Sequence, residues 1–152
     1  MKTLFMETTE VPAERTAAEI SAVLIQAGAT QINTAYESGE IVGLRWTMRV
    51  PGGRELLFSM PARVDPIFQI FQKRRKYEWD RKEKAADDRT KAKRVAWRQL
   101  LRWVQAQVAM IECGMAESAE VFFPYIQAPS GQTLFEHFKE QQFKALPAPE
   151  VQ

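Results

Sequence analysis

Cysteine and histidine are nearly missing from this chain, which has one of each, Cys113 and His137, in 152 residues. A single thiol closes no internal disulfide, and one Cys with one His is too few for a zinc site. A Cys–His nucleophile pair is formally available. Both residues fall on predicted helices, however, and "IECGMA" offers the thiol no cationic neighbour to lower its pKa. A small buried cysteine and a surface histidine are the plain expectation. Aspartate is scarce as well: Asp65, Asp80, Asp87 and Asp88 are the only four. Three of them sit in one charged block, and clustered carboxylates on strand ends, which a magnesium nuclease requires, are lacking. The "PGGRE" turn lacks the Lys-Ser/Thr of a phosphate-cradling loop. No apolar run approaches a membrane span, and no signal peptide is read at the start. These absences predict a non-enzyme with no catalytic residues, no metal, no cofactor and no membrane partner, working in the cytoplasm.

What is present is an uneven distribution of charge. The net charge is only +2, yet the segment from Gln72 to Arg94 holds eleven Lys+Arg against five Asp+Glu. The rest of the chain carries ten against fourteen. A basic block on a mildly acidic body points to a polyanion or an acidic partner.

Apolar periodicity divides the chain into elements. In "EVPAERTAAEISAVLIQAGAT", Ile20, Val23, Leu24 and Ala27 share a helical face and Gly28 supplies a stop, so a helix is predicted over 13–27. "TQINTAYESGEIVGLRWTMRVPGGRELLFSM" alternates with period two. Val42, Leu44, Trp46, Met48 and Val50 lie on one face, and Ile41, Gly43, Arg45, Thr47 and Arg49 on the other. Ser38-Gly39 and Pro51–Gly53 turn the chain, giving a three-stranded antiparallel meander over 30–63. Asp65 is placed to cap a helix with Pro66 at its first position. Its apolar stripe fades after Phe71, so the charged block is expected to leave the body as an arm. A break or fresh cap is expected at Asp87-Asp88. The return helix carries Trp97, Leu101, Val104, Val108, Ile111 and Met115 at regular spacing. That seam either packs in the core or makes a homodimer through residues 97–115. "EVFFPYI" reads as an edge strand because of Pro124. "TLFE" has capping-box form and opens a last helix to about Ala145. The fold class is α+β: a meander packed against an N-terminal helix and a long charged helical hairpin over 66–115, with a short C-terminal strand and helix. Residues 1–145 make one domain and 146–152 a disordered tail.

Two surfaces carry candidate chemistry. Lys73, Arg74, Arg75 and Lys76 are consecutive, Arg81 and Lys82 follow, and Tyr77 and Trp79 sit inside the run. Lys and Arg neutralise phosphates, and aromatic rings stack on unpaired bases. The block reads equally as a solvated helical hairpin laced with pairs such as Glu78–Lys82, or as a protein-docking arm. On the sheet, Arg45, Thr47 and Arg49 project together, with Asn33 or Tyr36 from the first strand, and no acid is evident beside the two arginines. Such a face is a platform for a single strand. The leading expectation joins Arg45 and Arg49 to the arm residues in one path for single-stranded DNA or RNA. Reversing Arg74, Arg75 and Lys76 to Glu is then expected to weaken binding and leave the fold intact. The alternative is an inhibitor or adaptor that binds a host protein.

The segments "GAT…AYESGEIVGLRW", "AWRQLLRWVQAQVAMIECGM" and "FFPYI…GQTLFEHF", spanning about 16–138, resemble a family of small uncharacterised proteins of bacteriophages and other mobile elements. The resemblance implies an accessory protein in a bacterial host cell, acting in DNA metabolism or against host defence. It brings no site residues with it.

Overall fold

The computed structural model describes residues 2–150. The first helix, α1, spans Ala13–Gln26 and buries Ala13, Thr16, Ala17, Ile20 and Leu24. Gly28 follows at φ +108°, a left-handed position that ends the helix and that side chains other than glycine rarely tolerate. Three strands come next: β1 (Ala29–Glu37), β2 (Glu40–Arg49) and β3 (Glu55–Pro61), paired antiparallel in the order β1-β2-β3. Ser38 and Gly39 both have positive φ, the two-residue turn whose twist suits a hairpin. The expected meander and its leading helix are both present.

The sheet departs from strict alternation twice, at Thr30 in β1 and at Val42 in β2. The β1–β2 register shifts between Ala35/Gly43 and Tyr36/Ile41, so Val42 is an extra residue, a β-bulge. The bulge flips the phase. Leu44, Trp46 and Met48 face the core as expected, but below the bulge Ile41 is buried and Val42 is only half-buried. A Cβ on Gly43 would lie 2.6 Å from the Met60 carbonyl oxygen, which is why the strand runs this close only through glycine.

The hairpin follows. Helix α2 spans Asp65–Arg74, the short α3 spans Glu78–Glu83, and α4 runs unbroken over Ala85–Glu112. Asp65 is the first helical residue rather than the cap, with Pro66 second and Val64 at the cap position. The seam on α4 is core: Trp97, Leu101, Val104 and Val108 are buried against α1 and the sheet. Trp46 stacks on Phe58 at 5.4 Å between centroids, and Phe122 meets Trp46 edge-on at 5.4 Å. The homodimer seam is therefore already filled from within the chain. Met115, expected at its end, lies beyond the helix and is exposed.

The C-terminal segment differs from expectation. "EVFFPYI" is not an edge strand but the helical turn α5 (Ser118–Val121) and a 3-10 turn (Phe123–Tyr125). Pro124 suits the start of such a turn, and Phe122 drops into the core as an anchor. Ile126 pairs with the sheet only as an isolated bridge to Phe58, while Phe122 reaches Trp46 and Phe58 through its ring. Helix α6 spans Leu134–Glu140, with Thr133 and Glu136 in the expected capping box, and ends short of Ala145. Pro147–Glu150 carries neither helix nor strand, and the last two positions of the expected tail lie outside the described residues.

Candidate functional site

The charged block does not extend as an arm. Helix α2 lies along α4, burying Phe71 against Ala92 and Val95, with Leu4, Val64, Ile67 and Phe68 around them. The reversal comes at Arg75, which is extended at φ −83°, ψ 129°. The break before α4 sits at Lys84, not at Asp87-Asp88, and Asp88 is a buried member of the helix.

Arginines fasten this fold. Arg75 Nε and Nη2 donate to Asp88 Oδ2 and Oδ1, each at 2.8 Å, and Gln72 Nε2 donates to Asp88 Oδ2 at 2.8 Å. Arg75 Nη1 reaches Asp80 at 3.2 Å. These hydrogen bonds, Arg75 first, hold the Asp88 carboxyl below the usual carboxylate range despite the opposing push of burial. Arg75 is in turn held even more firmly protonated, chiefly by Asp88. Arg81 Nε donates to the carbonyls of Gln72 and Arg75, both at 3.1 Å, satisfying the carboxyl end of α2. Arg74 pairs with the buried Glu7 and donates to the Lys2 carbonyl at 2.9 Å. The Arg74 hydrogen bond keeps the Glu7 carboxyl low. Arg74, Arg75 and Arg81 thus serve the fold, so reversing the first two cannot leave it intact as the sequence implied.

The residues turned outward are others of the expected set. Lys73, Lys76 and Lys82 are exposed, and Lys82 pairs with Glu78 at 3.2 Å on the surface. Tyr77 and Trp79 are 52% and 64% exposed, and their rings lie parallel within 12° at 6.0 Å between centroids. Trp79 therefore does not pack on α4. Lys76 Nζ stands 5.4 Å from the Tyr77 centroid. Lys91 lies outside the expected set but faces the same region, with Nζ 4.7 Å from the Phe71 centroid. It sits three residues after Asp88, so once Asp88 faces α2 the helical spacing turns Lys91 the same way.

Arg45 and Arg49 stand apart from this tip. They project from the sheet face opposite Trp46 and Met48, hence away from α4. Arg45 lies between Asn33 and Ser59. Arg49 has Glu55 directly across the strand, so an acid does share its face. The Thr30 and Thr47 hydroxyls, then Arg49, keep the Glu55 carboxyl ionised and low. Tyr36 sits on the other face, near α1, bordering a groove with Ala18 and Ile25. The single path expected from the sequence is thus two separate surfaces.

Cys113 is exposed just past α4, contrary to the buried position expected, and its Sγ lies 3.4 Å from the Met110 carbonyl oxygen. Among the described residues no three His, Cys, Asp or Glu side chains gather as a metal site. No helix among them is long and apolar enough to cross a membrane. No family model matches the chain, and comparisons with curated proteins and solved structures found no match either.

Proposed function

We propose that the hairpin tip binds single-stranded nucleic acid, and that the protein is a non-catalytic accessory factor of phage or mobile-element origin in the bacterial cytoplasm. The observation that carries this reading is the Tyr77–Trp79 pair, two parallel rings left in solvent among lysines. Exposing a tryptophan at the end of a charged hairpin gains nothing for folding. Beside Lys73, Lys76 and Lys82 the rings offer stacking surfaces within reach of phosphate-neutralising groups. Duplex bases are already stacked on one another, so such rings favour unpaired strands. Arg45, free of a cross-strand acid, is a secondary contact at most, on another face.

The test is fluorescence anisotropy of a labelled single strand and the matching duplex at two salt concentrations. Stacking contributes about 1–3 kcal/mol per base, so each ring lost in the Tyr77→Ala/Trp79→Ala double variant is expected to weaken binding roughly 5- to 150-fold. Its melting temperature should not move, because neither ring fills the core. Replacing Lys73, Lys76 and Lys82 with Gln should flatten the log–log salt slope by about 0.7 for each phosphate no longer neutralised. Equal affinity in wild type and the ring variant would refute the proposal.

A second reading, docking on a host protein, draws on the same rings, since Trp and Tyr dominate protein hot spots. The surface Glu78–Lys82 pair gives the tip a mixed-charge rim of the kind found there. Its outcome is no oligonucleotide binding at low salt, together with loss of one stoichiometric host protein, captured from nuclease-treated lysate, on ring substitution.

A further inference from the structure

Next to the exposed rings lies a concavity that strand binding alone does not require. It has a volume of about 320 Å³ and opens between α2 and α4, with Arg74, Arg75, Lys76 and Lys91 on its walls beside Asp80 and Asp88. Phe71 contributes to its lining and carries Lys91 above its ring.

The carboxylates there are already engaged. Both Asp88 oxygens accept from Arg75, Oδ2 accepts from Gln72 as well, and Asp80 accepts from the remaining Arg75 nitrogen. Arg74 is answered by Glu7. What remains is two ammonium groups, Lys76 and Lys91, with no carboxylate in ion-pair range among the described residues. They come from different elements, one just past α2 and one on α4, and border the same hollow. The Arg75–Asp88 link ties the backbone that bears Lys76 to the helix that bears Lys91.

Resting on the strand-binding reading, we infer that this cleft takes the terminal phosphate monoester of a strand whose end nucleotides stack on Tyr77 and Trp79. A monoester carries about −1.5 to −2 near neutral pH, while an internal diester carries one charge and must continue on both sides. Two ammonium groups on the rim of one open hollow match the charge of the monoester. Lys76 joins the two halves of the site, since it borders the cleft and stands over the Tyr77 ring. A 5′ and a 3′ phosphate present the same group, so the chemistry is shared and strand polarity is left to the measurement.

The experiment compares one labelled single strand in three forms: unphosphorylated, 5′-phosphorylated and 3′-phosphorylated. A phosphorylated form is expected to bind about tenfold more tightly, since charge-assisted hydrogen bonds to two ammonium groups are strong. Which end gains identifies the polarity, and equal gains mean that the cleft reads only the phosphate. Lys91→Met, whose chain still covers Phe71, should remove the advantage and leave the unphosphorylated strand within twofold of wild type. Lys91→Gln serves the same purpose if the Met variant melts differently. Identical affinity for all three forms, or an advantage that survives loss of Lys91, overturns the inference while strand binding stands. No binding of any form overturns the strand-binding reading and the inference with it.

Discussion

Asp88→Asn isolates the link that closes the hairpin. The substitution keeps the shape of the side chain and removes its charge. Asp88 now accepts three hydrogen bonds at 2.8 Å, two from Arg75 and one from Gln72. Asparagine offers one carbonyl oxygen and turns an NH2 group toward the guanidinium, donor against donor. Breaking a fully buried ion pair costs about 3–5 kcal/mol. The Arg75 side chain keeps 28% exposure and its contact with Asp80 at 3.2 Å. That lowers the expected loss to about 2–3 kcal/mol. In a chain of this size the melting temperature should fall by about 5–10 °C. The folded pKa of Asp88 lies below its unfolded value. Its contribution is therefore complete above about pH 4 and fades as pH drops through the folded pKa, so wild type and variant should converge in acid. Thermal unfolding followed by circular dichroism at neutral pH and at about pH 2 measures both effects. Combining the change with Arg75→Gln should give much less than the sum of the two. A shift under about 1 °C at neutral pH, or a gap that does not narrow in acid, would refute this account of the hairpin.

Two further outcomes follow from packing. Gly43→Ala should destabilise the fold by about 1–3 kcal/mol, because its Cβ meets the backbone oxygen of Met60 rather than a side chain that can swing away. An unchanged denaturation midpoint would argue against the tight β2–β3 approach. Of the four tryptophans, Trp46 and Trp97 are buried, Trp103 is half-buried and Trp79 is open. Trp79→Phe should therefore remove most of the iodide-quenchable fluorescence, and quenching that persists would place the ring against the body.

Where neighbours in sequence decide the structure, the sequence was readable. The α1 stripe, the Ser38-Gly39 turn, the alternation of Leu44, Trp46 and Met48, the α4 seam and the Thr133 capping box all depend on residues a few positions apart. What could not be read depends on distant partners. Arg74 and Glu7 are 67 positions apart, and nothing local distinguishes Arg74 from Lys73, which stays in solvent. Arg75 finds Asp88 only after the chain has reversed. The Val42 bulge is a property of the β1–β2 pair, so strict alternation misassigns Ile41. Lys84 interrupts a run of good helix formers for no reason visible in its own neighbourhood. "EVFFPYI" misleads in the opposite direction, since its apolar run resembles a strand while Phe122 alone is drawn inside. At the candidate site, Tyr77 and Trp79 could be found because no stripe connects them to a core. Lys91 could not, because its position follows from where Asp88 points.

Among the described residues there are two apolar clusters, a large one centred on Trp46 and Trp97 and a small one of Phe71, Ala92 and Val95, and α4 is the rod they share. The large cluster holds by exclusion of water. The small one depends on charged fasteners at its end, Arg75 with Asp88 and Arg74 with Glu7. The two kinds of cohesion respond to the medium in opposite senses. An excluded salt such as sulfate strengthens apolar burial, while any concentrated salt screens the partly exposed ionic clasp. In strong brine the body is therefore expected to tighten while the hairpin tip gains less or loosens.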